Sequence, residues 1–290
     1  VPGLPSTVGP IALTGDPRTA DPCALIDPIP LRQFGRPFIT ISEWVAGCQA
    51  TIAMPDGDVR LDVYFDAPIE SVAALGGTTQ QLGDLTLVRI GTVEGVFVTT
   101  CENVLVLADR TRIYINADGP APDLCAVVEV GTVAAVNALT RDGISYRPGR
   151  TSELLIAGSD ACKVLEPAVN TVAGLDSTIR YPGFANWSCE WGAAGEGSPH
   201  VYLRFRRDDA NVADYGEPTT IAGKRAWLQT TAGINNPQRC MAFVVHRPAP
   251  SATAATEIVD IEVDAPGPPE DLCARAAELA TAAVATLPGP

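Results

Sequence analysis

The sequence predicts an α+β chain of two similar tandem modules. Each is read as an antiparallel sheet flanked by N- and C-terminal helices and stapled by two disulfides. Three observations carry this reading. Eight cysteines fall into two sets, Cys23, Cys48, Cys101, Cys125 and Cys162, Cys189, Cys240, Cys273, with gaps of 25, 53 and 24 and then 27, 51 and 33 residues. Self-similarity at a fixed spacing is the mark of a duplicated unit. The tripeptide Asp123-Leu124-Cys125 follows Pro120-Ala121-Pro122, and returns as Asp271-Leu272-Cys273 after Pro266-Gly267-Pro268-Pro269. Between the second and third cysteines of each set lies a run in which apolar and polar residues alternate, the period of a half-buried strand. The expected division is 1–20 Pro/Gly-rich tether, 21–139 first module, 140–159 linker and 160–290 second module.

In the first module Asp21 caps a helix with Pro22 at its first position, and Pro28 and Pro30 keep that helix short. Gly47 to Met54 reads as a strand. Pro55-Asp56-Gly57-Asp58 makes a hairpin turn into Val59, Leu61, Val63 and Phe65, which alternate with Arg60, Asp62 and Tyr64. Gly76 to Gly83 reads as a loop. Leu85–Ile90, Gly95–Thr100, Asn103–Leu107 and Thr111–Asn116 supply further strands, and a helix from Asp123 to about Leu139 closes the module. The second module repeats the order. A helix opens at Asp160-Ala161-Cys162, and Asn186 to Trp191 is a strand. His200–Arg207 corresponds to Val59–Phe65, and Thr219–Thr230 to the strand pair at 85–100. Cys240–His246 corresponds to Cys101–Leu107, and Ile258–Val263 to Thr111–Ile115. The last helix places Leu272, Ala276, Leu279, Ala280, Ala283, Val284 and Leu287 on one face. Each module therefore holds four to six antiparallel strands with helices on one side.

Composition narrows the compartment. No two cysteines form a CxxC pair, so the set reads as disulfides rather than as zinc or thioredoxin-type sites, and disulfides persist outside the reducing cytosol. Four cysteines allow three pairings per module, and the sequence leaves them open. The pairing expected on geometric grounds is Cys23–Cys48, Cys101–Cys125, Cys162–Cys189 and Cys240–Cys273, because each bond then ties a helix start to a strand. A net charge of −14 excludes a nucleic-acid partner, since phosphate binding needs a basic surface. It also argues against contact of the folded modules with an anionic membrane. Eighteen of twenty basic residues are Arg, which with abundant Ala, Val, Gly and Pro points to a high-GC genome such as an actinobacterium's. No run of about 20 apolar residues reads as a membrane span. The expected membrane link is an anchor or signal segment upstream of Val1.

The stretches Asp21-Pro22-Cys23-Ala24-Leu25-Ile26-Asp27-Pro28 and Ser188-Cys189-Glu190-Trp191 resemble actinobacterial cell-envelope lipoproteins of unknown function, which begin with an Asp-Pro-Cys helix and carry a Cys-x-Trp strand. The four-cysteine pattern is similar also to the extracellular sensor domains of mycobacterial receptor Ser/Thr kinases. Both resemblances imply a helix-flanked antiparallel sheet, secretion, and a binding or sensing role without known chemistry.

No motif in the chain calls for a cofactor or metal. His200 and His246 are the only histidines and read as surface residues at strand ends. No Gly-x-Ser-x-Gly elbow is present. Asp56-Gly57-Asp58 and Asn116-Ala117-Asp118-Gly119 have the oxygens for calcium but are explained as turns. Trp187, Trp191 and Trp227 are weighed as an aromatic platform against core packing. Arg204, Arg206, Arg207 and Arg225 are weighed as an anion-receiving strip against a solvated strand face. The expected function is non-enzymatic binding of an envelope component, either a protein of the cell-wall machinery or a glycolipid, with the principal surface on the second module. The alternatives are a hydrolase or transferase acting on envelope glycans, and a structural spacer.

Overall fold

Two antiparallel sheets, each of seven strands, organise the protein. The computed structural model describes residues 3–40, 42–94, 99–121, 123–148, 156–193, 195, 197–208, 215–232, 236, 238–248 and 255–289. The chain divides into two compact units, Val1–Arg150 and Thr151–Pro290. The division falls inside the stretch expected as a linker.

The first unit contains β1 (Arg36–Thr40), β2 (Gly47–Met54), β3 (Gly57–Asp66), β4 (Thr78–Leu82), β5 (Leu85–Glu94), β6 (Thr99–Val106) and β7 (Arg112–Asp118). Its helices are α1 (Pro28–Leu31) and α2 (Leu124–Asp142). The second contains α3 (Ala161–Val169), β8 (Arg180–Pro182), β9 (Ser188–Trp191), β10 (His200–Asp208), β11 (Glu217–Ile221), β12 (Lys224–Thr231), β13 (Arg239–Arg247), β14 (Thr256–Asp264) and α4 (Pro269–Thr286). The first sheet runs β1-β2-β3-β7-β6-β5-β4 and the second β8-β9-β10-β14-β13-β12-β11, the same order. The registers agree as well. Cys48 faces Val63 and Val63 faces Ile115, as Cys189 faces Leu203 and Leu203 faces Ile261. The duplication is therefore structural, down to the paired residue.

The four disulfides are Cys23–Cys48, Cys101–Cys125, Cys162–Cys189 and Cys240–Cys273. Cysteines 48 and 101 sit on β2 and β6, and cysteines 189 and 240 on β9 and β13, so all four bonds tie a sheet to the helical layer on one side of it. The capping chemistry works as the acids imply. Asp21 accepts from the Cys23 N–H, Asp123 from Ala126 and Asp160 from Lys163. Each such cap contributes about 1 kcal/mol. The first module opens with a 3-10 turn at Pro22–Leu25 and one turn of α1 rather than a continuous helix, since Pro28 and Pro30 interrupt it. The last helix starts at Pro269, ahead of Asp271, because proline at the first position needs no backbone partner. α2 is long and apolar enough to cross a membrane by composition. It nevertheless lies on β6 and β7, burying Val127, Val128, Ala135 and Val136, and is bonded to β6 through Cys125.

Several expectations change. Among the described residues there are seven strands per unit rather than four to six. The extra ones are edge strands: β4 occupies the expected loop at 76–83, with Thr78–Gln81 exposed. Polar edge strands carry no apolar alternation to reveal them. The strand expected at 95–100 lies largely outside the described residues, and Thr99 and Thr100 open β6. The segment Thr219–Thr230 therefore corresponds to β4 and β5, one strand earlier than expected. Leu154 and Leu155 lie outside the described residues, while Ile156 begins a 3-10 turn.

The tether reading of residues 1–20 is also corrected. Val8 pairs with Gly83, exchanging hydrogen bonds with Leu82 and Asp84. The Leu13 N–H reaches Asp109 at 2.8 Å, and Ala20 pairs with Tyr146. Gly83 sits at φ +71°, and a Cβ there would meet the Val8 carbonyl at 2.3 Å. A Pro/Gly-rich composition limits conformations but leaves open whether a segment docks, and buried Val8 and Ala20 decide it.

Candidate functional site

Each sheet has one face under helices and one opposite. In β3, Leu61, Val63 and Phe65 are buried beneath the helical layer, so Arg60, Asp62, Tyr64 and Asp66 share the other face. The β3–β4 crossover passes over part of that face. Its Ile69, Val72 and Leu75 pack on Val88, Val104 and Val106, with Tyr114 at the margin. The loop 42–46 folds over the opposite end. Gly47 makes this possible, since a Cβ there would lie 2.6 Å from Ser42 Oγ. Between crossover and loop lies a floor formed by β2, β3, β7 and β6.

The register assembles this floor in rows. One row is Gln49, Asp62, Asn116 and Glu102, each directly across from the next. The adjacent row is Gly47, Tyr64, Tyr114 and Val104. Tyr64 and Tyr114 stack with centroids 5.1 Å apart and planes 6° apart, and Trp44 from the loop stacks on Tyr64 at 5.9 Å. All three rings are half-buried. Arg112 holds the Tyr114 hydroxyl at 3.0 Å and pairs with Asp66.

Asp62 is buried, with Ser42 Oγ donating to one oxygen at 3.0 Å and Gln49 Nε2 to the other at 2.9 Å. Burial pushes its carboxyl up from 3.8 to about 6, against the pull of those two hydrogen bonds and aided by Glu43 and Asp118. Burial likewise raises Glu102. It raises both tyrosines too, with Glu102 adding to the effect on Tyr64. Among the described residues, no hydrogen bond or ion pair reaches the Glu102 carboxylate. Arg60, close to Asp62, pairs with Asp118. The floor thus holds two carboxylates without an ion pair beside stacked aromatic rings. Two shallow grooves of about 330 Å³ lie elsewhere, one lined by Leu25, Pro28, Val133, Asn137 and Arg141, the other by Glu166, Asn170, Thr178 and Arg180.

The same face of the second sheet is built differently. Arg204 and Asp260 stand where the first sheet has Tyr64 and Tyr114, and Glu262 stands where it has Asn116. Arg204 reaches Asp260 at 2.9 Å and Arg206 reaches it at 3.4 Å, with Asp260 fully buried. Arg239 pairs with Glu262 at 2.7 Å, and Asn236 donates to Asp264 at 2.8 Å. A charge pair therefore occupies the positions that hold the two stacked rings in the first unit, while Tyr202 and Met241 stand where it has Asp62 and Glu102.

This corrects the expectation for the second module. Trp187, Trp191 and Trp227 are all buried. Trp187 donates to the Ala157 carbonyl at 2.8 Å. Trp191 faces Val201 on the helix side of the sheet, whereas Trp227 clusters with Met241, Phe243 and Tyr215 on the other side. The sheet separates them, so no platform forms. Arg204 and Arg206 share the single charge of Asp260, Arg207 is partly buried, and exposed Arg225 lies 4.5 Å over the Trp227 ring. Neither histidine is a surface residue. His200 meets Glu190 at 2.8 Å, which raises its pKa. His246 is buried, and burial lowers its pKa. Among the described residues no well-formed hydrogen bond reaches either ring nitrogen of His246, the Pro288 backbone being near enough only to oppose that shift. Asp56 and Gly57 form the β2–β3 turn, and among the described residues no three potential ligands converge on a metal position.

The alternation of Asp62 and Tyr64 within β3 is visible in the sequence. Their junction with Tyr114, Asn116 and Glu102 needs the β3–β7–β6 register, which skips three strands of sequence.

Fold and site together define a tandemly duplicated, disulfide-stapled α+β protein whose two sheets carry chemically different faces opposite their helices. The chain belongs to the family described as protein of unknown function DUF3558, whose model matches residues 125–286, from α2 to the end of α4. No curated protein matches the chain. Among solved structures, the crystal structure of DynU16, a protein in the dynemicin biosynthetic locus, aligns over 90% of each chain at 13% identity. Its TM-score of 0.14 is too low to carry an argument.

Proposed function

We propose that this is a non-enzymatic cell-envelope protein that binds an envelope component, a protein or a glycolipid, through the open face of its first sheet. Four disulfides point to an oxidising, extracytoplasmic setting. The observation that carries the reading is the half-buried row Trp44–Tyr64–Tyr114 beside Asp62 and Glu102. Aromatic residues concentrate where binding energy is concentrated, and ionisable groups with strongly shifted pKa mark functional surfaces. The second unit, with its matching face filled by ion pairs, acts as scaffold in this reading.

The test is retention of native envelope components by the immobilised chain. Tyr64→Ala with Tyr114→Ala should abolish retention at an unchanged fold, while Arg225→Ala leaves it intact. Retention that survives the double tyrosine change removes the first sheet from the binding site.

A further inference from the structure

We infer that the open face of the first sheet takes a lysine side chain of a partner protein, its stem along Tyr64 and Tyr114 and its ammonium between Glu102 and Asp62. This rests on the binding reading above and names the chemistry of the ligand.

Three features of the floor lead to it. The first is charge. Asp66 pairs with Arg112 and Asp118 with Arg60, while among the described residues no ion pair neutralises Asp62 or Glu102. At the equivalent level of the second sheet Tyr202 and Met241 replace the two acids, and the one acid there, Glu262 in place of Asn116, is matched by Arg239. Two partly desolvated carboxylates on one sheet face are costly without a cation, so a ligand bearing one improves the balance. The second is spacing across the strands. Asp62 and Glu102 flank Asn116 in one row, about 10 Å apart at two strand spacings. An ammonium placed between them donates to Glu102 and the Asn116 amide oxygen and meets the Asp62 charge at longer range, since the buried Asp62 oxygens already accept from Ser42 and Gln49. The third is spacing along the strands. The tyrosine row lies two residues from the acid row, about 7 Å. A lysine stem of about 6 Å spans that offset, so its methylenes run along the outer edges of the rings, whose faces are taken by Trp44, by each other and by Arg112, while its head reaches Glu102. An amino sugar has the charge but no stem to run along the rings.

The experiment is calorimetric titration of the full chain with Nα-acetyl-lysine methylamide, its norleucine counterpart and glucosamine. The lysine compound should bind saturably and lose at least tenfold in affinity in Glu102→Gln, at an unchanged melting temperature. The norleucine compound and glucosamine should each bind at least tenfold more weakly than lysine. Equal binding of lysine and norleucine, or no effect of Glu102→Gln, overturns the inference. Stronger binding of glucosamine overturns it in favour of a glycolipid amine. Envelope retention that needs both tyrosines but persists in Glu102→Gln would leave the binding face standing and remove only the lysine.

Discussion

Asp62 makes a prediction that can be worked through in numbers. Its carboxyl is raised from 3.8 to about 6 in the folded protein. The folded state therefore holds this proton more tightly than the unfolded chain, and between pH 4 and 6 it carries more protons. Stability from this group is then highest below pH 4 and is lost as pH rises through about 6. The full loss is about 3 kcal/mol, from roughly 1.4 kcal/mol for each tenfold in proton affinity. Asp62→Asn removes the dependence but also weakens the local hydrogen bonding. The new amide oxygen accepts from Gln49 Nε2 while its N–H turns to Ser42 Oγ, which must reverse from donor to acceptor. That costs about 1 kcal/mol at every pH. The variant should accordingly be less stable than the parent by about 0.5 kcal/mol at pH 4 and more stable by about 2 kcal/mol at pH 7. For a unit of this size the swing corresponds to about 5–10 °C in the melting temperature of the first unit. Calorimetry of the disulfide-intact chain from pH 4 to 7 reads it directly. A difference between parent and variant that stays constant across that range would refute the argument, because desolvation of Asp62 would then not be its origin.

Other perturbations follow from the same geometry. Removing Asp260 with Ala leaves Arg204 and Arg206 facing a buried gap and should destabilise the second unit by about 3–5 kcal/mol, measured by urea unfolding. Arg204→Tyr with Asp260→Tyr, which installs the residues of the first sheet, should recover more than half of that loss. Replacing Cys101 and Cys125 by Ala opens a bond spanning 24 residues and should cost about 3.5 kcal/mol in the loop-entropy model, with the other three bonds intact by peptide mapping. His246→Leu places in the second unit the residue that the first has at Leu107. Folding lowers the His246 pKa below 6.5, so its neutral form is favoured and stability falls as pH drops below that value. The leucine variant should gain melting temperature at pH 5 relative to pH 8; equal gains at both would exclude protonation as the cause.

Much of this architecture is written locally and is legible in the chain. The cysteine spacing, the Asp caps before Cys23, Ala126 and Cys162, and the alternation in β3 and β10 all act over a few residues, so they survive as sequence pattern. The repeat then carries each assignment from one module to the other, and the crosslinks follow because each joins a helix start to a strand. Only the tertiary structure decided which face is free. Trp187, Trp191 and Trp227 look like a cluster along the chain, but the sheet places them on opposite sides and buries all three. Arg204 and Arg206 look like a basic strip until Asp260, more than 50 residues away, is seen between them. The candidate site of the first unit is assembled by β3 pairing with β7 across the crossover, which brings Tyr64 to Tyr114 and sets Asp62, Asn116 and Glu102 in line. Side-chain identity fixes what each residue can do; strand register fixes its neighbours, and charge and burial depend on the neighbours.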